Sequence, residues 1–483
     1  MNLFFCSVLQ LSAKSYYDFN ETCVIAYNDI IALKLDNGRH ALDSIQQLEP
    51  NNLIPVLLRN YIDFLEVYTE GSEEIYESKK KRFDQNLDDL KKGDNDSPYY
   101  LYAQAEVHTQ SAVLHIKFGE YLATIFDVKK ALKKLENNQD SFPEFVPNKK
   151  SLGMLYTILG SIPQQYQNTL EFIGLHGEVS KGLGLLGEAV NDHSHPFQHE
   201  AATIQAFMLL HIQNDPKTAW EVLRKNSFNA KTNLMDAFAF GHIGIHGSHC
   251  DEGIQALLDA PRSPEYSSFP LISFLLGIGK TYRQDGDANK YFQQFIDRNK
   301  GEDYVKSAWH KMAWNELIRG NHSKYDSYMQ KVSSSGRAVI DTDKQAEKEL
   351  ESTIPNPILL KARLMTDGNY LTKAQNLLAD FHVNSFKNKY EKTEYFYRLA
   401  RIFDKKGEVK KAIQYYEITI ANGRSVPFYY AANAAYLLGF LYEEAGNLTE
   451  ATKNYTLCLD LDGHEYENSI HQKAEAALNR LKY

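Results

Sequence analysis

The side chains best able to do chemistry in this chain are histidines. His242, His246, His249 and Cys250 fall within nine residues. On a helix His242 and His246 lie one turn apart on one face, a spacing that suits two imidazole ligands of one metal ion. With Cys250 as a further donor, the group would make the chain a metal-dependent hydrolase or lyase. Against that reading, no H-E-x-x-H glutamate accompanies the group. Gly241, Gly244 and Gly247 instead point to close packing at a helix end, where a partial positive charge suits the helix dipole. A second group, His193, His195 and His199, precedes a helix. At 1.5 Å per residue along helices of roughly 15 residues, the two groups would stand about 22 Å apart and would not share an ion.

Other catalytic signatures fail on spacing. Gly277-Ile278-Gly279-Lys280-Thr281 lacks the upstream glycine of a phosphate-cradling loop. Gly182-Leu183-Gly184-Leu185-Leu186-Gly187 matches a dinucleotide fingerprint in spacing alone, with no strand before it, and reads as tight helix packing. There is no Gly-x-Ser-x-Gly elbow, and Cys6, Cys23, Cys250 and Cys458 form no CxxC pair. Buried thiols packed as small hydrophobes account for most of them. These observations imply no cofactor, and the chain is not read as an enzyme.

The elements that position these residues are helices. Hydrophobic residues make up 43% of the 483 residues, while Gly and Pro are scarce at 27 and 14 beside 31 Tyr and 25 Phe, a balance that favours long helices packed through large rings. Apolar residues recur at three- and four-residue steps, and polar clusters break the pattern at 92–98, 138–150, 191–196, 260–267 and 333–357. The last break is long enough for a further helix, 343–350. Near the start, 26–33 and 41–48 read as a helix pair turning at Asp36-Asn37-Gly38. The net charge of −9 repels phosphate backbones, and Lys79-Lys80-Lys81-Arg82 is interleaved with Glu73, Glu74 and Glu77 as a mixed helical face, so no nucleic-acid partner is expected. No stretch approaches the roughly 20 apolar residues of a bilayer span. The run 3–13 is short and ends in small residues like a secretory signal cleaved after Ala13, but no basic residue precedes it. If 1–13 is a signal, the mature chain is exported; if it is a first buried helix, the chain is cytoplasmic.

Two C-terminal segments superimpose at an offset of 39 residues. Leu399, Ala400, Phe403, Gly407, Ala412 and Tyr416 fall on Leu438, Gly439, Tyr442, Gly446, Ala451 and Tyr455. A small residue after the leucine lets two antiparallel helices approach, and the glycine ends the first helix in a left-handed cap. The alanine then lets the second helix pack flush. This is the tetratricopeptide pattern. Weaker copies carry Gly279, Tyr282, Gly286 and Phe295; Trp309, Ala313, Leu317 and Gly320; and Leu364, Gly368, Tyr370 and Ala374. The expected fold is an all-α superhelical solenoid of antiparallel helix pairs: one array over 14–483, clearest at 393–423 and 432–463, with a capping helix at 467–481.

Between 149 and 190 the order Leu152-Gly153, Ile162-Pro163, Phe172-Ile173-Gly174, Gly177, Gly182-Leu183 and Leu186 resembles the tetratricopeptide repeat protein 39 family, which includes inclusion-body clearance proteins. Leu175 stands where that family has an aromatic residue in its turn, so a role for that ring does not carry over. Asp96-Ser97-Pro98-Tyr99-Tyr100 through Tyr121, and 359–370, resemble exported bacterial members of the broader group. The resemblance implies an adaptor in protein quality control or at an envelope, and no catalytic residues.

A repeat of this kind binds through its first helices. In the two clearest repeats the spacing selects Glu394, Tyr397, Arg401 and Asp404, then Asn433, Tyr436, Phe440 and Glu443, as a groove for a peptide or protein with the rings as anchors. Arg401 and Asn433 alone do not make a carboxylate clamp. The expected function is a non-enzymatic interaction scaffold. A metal enzyme at the His242 group and a membrane-associated structural adaptor are the alternatives; the partner's identity and the oligomeric state stay open.

Overall fold

The two clearest repeats are each closed by a short turn whose backbone geometry follows from one residue. Gly407 and Gly446 adopt φ of 72° and 75°, so each ends its first helix in the left-handed conformation. In two weaker copies the left-handed residue is not the expected glycine: Gln284 takes it beside Gly286, and Asn369 takes it after Gly368.

The computed structural model describes residues 14–425 and 427–481. The run 1–13, with the question of a signal, and Cys6 lie outside the described residues. Among the described residues the secondary structure is helical apart from one isolated bridge between Tyr16 and Asn52. The fold is all-α and tetratricopeptide-like. Its contacts divide it into two compact units. One takes in residues up to Ile243 with Gln255–Ile272 and Arg298–Glu302; the other takes Gly244–Ile254, Ser273–Asp297 and Asp303–Tyr483.

In the second unit Lys389–Lys405 packs on Val409–Gly423, Tyr430–Glu444 packs on Leu448–Leu459, and Glu467–Arg480 follows. Ala412 and Ala451 are fully buried in these contacts. A side chain on Gly439 would put its Cβ 2.7 Å from the Tyr455 ring, so glycine there is a condition of the crossing. The same logic governs the phosphate-loop look-alike: a Cβ on Gly277 would meet the Phe292 ring at 2.7 Å. The extra helix expected in the long break is Asp341–Lys348, followed by a short 3-10 turn.

In the first unit Glu21–Ile31 packs on Leu35–Leu48, so Asp36-Asn37-Gly38 lies inside a helix and not between two. The turn falls at Leu33, with φ of 65°. Gly38 is small for another reason: a Cβ there would meet Ile30 at 2.5 Å across the helix pair. Downstream, Pro98–Lys117 packs on Tyr121–Ser141 and Pro147–Gly160 on Val179–Asn191. The fingerprint look-alike is explained by the last crossing, since a Cβ on Gly182 would stand 2.5 Å from the Thr157 backbone nitrogen. The basic run is a mixed face: Lys79 pairs with Asp63 and Glu66, and Lys80 with Glu77 and Glu120.

Candidate functional site

First helices of successive repeats present their inner sides to one cavity of about 320 Å³ in the second unit. Pro357–Asp367 contributes Leu360 and Arg363, Lys389–Lys405 contributes Tyr390 and Glu394, and Tyr430–Glu444 contributes Tyr430 and Asn433. Lys348, Glu349 and the turn 352–355 line one wall; Glu465, Tyr466, Ser469 and Lys473 line another.

The aromatic residues form a connected group. Tyr390 lies 4.0 Å from Phe428 and 5.7 Å from Tyr430 between ring centroids, Tyr429 lies 4.5 Å from Tyr430, and Tyr429 meets Tyr466 edge-on at 5.6 Å. Such groups hold flat or aliphatic surfaces at fixed geometry, with few rotamers to freeze.

Charge is divided between groups already satisfied and groups left open. Arg398 is buried; its Nε and Nη2 donate to Glu394 Oε1 at 3.0 and 2.7 Å, and its guanidinium lies over the Tyr397 and Tyr430 rings. Glu349 lies 2.7 Å from His310 Nε2. Burial alone would raise the Glu349 carboxyl, but His310, Lys311 and Arg363 outweigh it and hold it down to about 2. Burial pushes the Glu465 carboxyl above its ordinary value. Arg363 has a looser setting: its nearest carboxylate oxygen, on Asp367, is 3.8 Å away and its guanidinium lies over Trp314. Lys348 lies over the Tyr466 ring at 4.8 Å. The cavity thus offers rings, open cations and one half-buried carboxyl to a ligand.

The structure distributes the eight sequence-selected groove residues differently from a single open row. Glu394 and Asn433 line the cavity. Tyr397 is only 4% exposed and belongs to the core; its hydroxyl accepts a hydrogen bond from Asn433 Nδ2 at 2.5 Å, and its ring meets Tyr429 and Tyr430. It is therefore not an open anchor ring of the groove, because the following first helix lies close enough to cover a ring at that position. Asp404 and Glu443, one repeat apart, each accept a hydrogen bond at 2.6 Å from the tyrosine of their own second helix, Tyr416 and Tyr455. They also pair with Arg401 and Arg480. Tyr436 is half-buried 5.9 Å from Tyr455, and Phe440 is 40% exposed. Tyr390, Tyr429, Tyr466 and Arg363 escaped the sequence reading because three of them stand at helix starts or in loops, outside the inner-face spacing. The run Phe428-Tyr429-Tyr430 was the available signal.

The histidine candidates are not gathered into a ligand set. His242 Nε2 lies 2.8 Å from His211 Nε2, with its ring stacked on Phe207. His249 faces Glu252 at 3.4 Å, and His246 ends the helix Leu234–His246. The Cys250 thiol, pushed up to about 11 by burial, donates to the Gly279 carbonyl at 3.7 Å. Among the described residues no group of three or more His, Cys, Asp or Glu is placed to hold a metal ion. His199, from the second group, pairs with the buried Asp236 at 2.6 Å.

No family model matches the chain, and no curated protein does either. Among solved structures the chain is similar to the human IFIT1 dimer with PPP-AAAA, at 13% identity over 92% of this chain and 91% of that one, with a TM-score of 0.35. It is also similar to yeast Tom70, at 12% identity over 95% and 89%, with a TM-score of 0.24. These similarities say nothing of the cavity. Among the described residues no helix is long and apolar enough to cross a membrane.

Proposed function

We propose that this chain is a non-enzymatic interaction scaffold that holds a peptide segment of a protein partner in the cavity between Arg363, Tyr390, Tyr429 and Tyr466. The observation that carries this reading is the convergence of three first helices and the Glu465–Lys473 segment on one cavity with connected rings and incompletely paired charge. Glu349, Glu394 and Glu465 stand among Lys348, Arg363 and Lys473, so a polyanionic backbone would meet carboxylates as well as cations. A mixed-charge peptide fits that balance better than a nucleic acid. The resemblance to the tetratricopeptide repeat protein 39 family adds a setting for the scaffold, as an adaptor in protein quality control. If 1–13 is a cleaved signal, that setting is outside the cytoplasm and the mature chain begins near Lys14.

Selection of a displayed random-peptide library on the folded protein tests the reading. The enriched peptides should weaken by at least about 2 kcal/mol on Tyr429→Ala or Tyr466→Ala, as expected of hot-spot rings, while helical circular dichroism is kept. Peptides that bind both variants as tightly as the parent would move the docking surface elsewhere, to Phe440 or to the Gly174–Gly177 turn.

A further inference from the structure

The first unit carries a face that neither the cavity nor the core uses. On the helix Tyr121–Ser141 the exposed side opens with Tyr121, Leu122, Ile125 and Phe126, which are 59, 76, 38 and 63% exposed. At 100° per residue these four share one side, and Lys129, Lys130 and Lys133 continue it over the next two turns, all exposed. Across the adjoining turn, Ile116 is 53% exposed. Of the carboxylates nearby, two are engaged elsewhere, while Asp84 lines a pocket with Lys130 and Asp140 is exposed two turns beyond Lys133. Asp127 is turned to His108 and His115 at 2.8 and 3.1 Å, and Glu120 to Lys80 and Tyr76. In a protein of net charge −9, this surface is apolar over its first turns and cationic over the next two.

We infer that this face of Tyr121–Ser141 docks the protein peripherally on an anionic lipid surface, with Tyr121, Leu122 and Phe126 entering the interface and Lys129, Lys130 and Lys133 meeting headgroup phosphates. Aromatic and aliphatic side chains beside lysines are the composition of interfacial helices. The four apolar groups stand out from a convex helix surface, so a folded protein would have to supply a matching pocket for each, whereas a fluid interface accepts them at any spacing. Lysines, as point charges on flexible stems, suit mobile phosphates. The inference is independent of the cavity reading.

Sedimentation of the full chain with phosphatidylcholine vesicles, with and without phosphatidylserine, tests it. The protein should bind only the vesicles that contain phosphatidylserine. Each of Lys129→Gln, Lys130→Gln and Lys133→Gln should weaken binding about fivefold, as expected for one surface cation, and Leu122→Ser with Phe126→Ser should abolish it. Circular dichroism of these variants should match the parent, since every substituted side chain is exposed. Equal binding to both vesicle types, or undiminished binding by both sets of variants, would overturn the inference. So would a concentration-dependent dimer removed by the Leu122 and Phe126 substitutions, or capture of an acidic amphipathic peptide by this face when vesicles are ignored.

Discussion

In the first unit Lys150 is fully buried, with its Nζ 2.8 Å from Glu106 and 2.9 Å from Glu200 and the rings of Tyr61, Tyr102 and Phe197 around it. Tyr61 and Ser151 donate to Glu106, and Tyr27 donates to Glu200. Burial alone would push the Lys150 ammonium down, but the two carboxylates outweigh it and hold it above its ordinary value. In the second unit Arg363 also sits among rings and carboxylates, yet no carboxylate reaches it within hydrogen-bonding distance and a cavity opens beside it. The same kinds of residue pair the cation fully in one place, although the Tyr102 hydroxyl beside it lacks a hydrogen-bond partner, and leave the cation unfinished in the other. A satisfied cluster rigidifies the helices that share it. An unfinished one leaves interaction energy for a ligand.

The contrast predicts its largest effect at Lys150. Lys150→Met strands the buried Glu106 carboxylate, with the partly exposed Glu200 beside it, and should cost about 3–5 kcal/mol in urea unfolding. A loss below about 1 kcal/mol, the range of exposed pairs, would erase the distinction between the clusters. Next comes the helix crossing behind the cavity: Gly439→Leu drives a side chain into the Tyr455 ring and should cost about 1–3 kcal/mol, seen as a lowered thermal midpoint, with Ala451→Ser milder. An unchanged midpoint would show that the crossing tolerates a side chain.

The cavity wall has its own pH signature. The Glu349 carboxyl is held at about 2, below its ordinary 4.5, so its contribution to stability is complete above pH 4.5 and is lost as pH falls toward 2. The stability gap between the parent and Glu349→Gln should therefore be wide at about pH 6 and narrow by about pH 3. Equal gaps would detach Glu349 from the cations around it. The smallest effect belongs to Arg363→Gln, which should change stability by no more than about 1 kcal/mol while weakening the peptides selected on the parent. A large stability loss there would make Arg363 part of the scaffold, as Lys150 is.

Helix pairing and the C-terminal register could be read from residue order, because both depend on neighbours three, four and 39 positions away. Gly407, Gly446, Ala412, Ala451 and Gly439 each do what their spacing indicated. The misreading at Gly38 shows the limit: a glycine preceded by Asp and Asn looks like a turn, and only the approach of Ile30 reveals it as a contact. The groove was less legible. Of the residues that inner-face spacing selected, Glu394 and Asn433 line the cavity, but Tyr397, at an equivalent angle on its helix, is covered by the next repeat, and Asp404 and Glu443 serve the tyrosines of their own repeats. Whether a side chain on the inner face is open, covered or paired depends on distances to helices far along the chain. Periodicity along one helix specifies the direction a side chain leaves it, and the packing of neighbouring helices decides what that side chain meets.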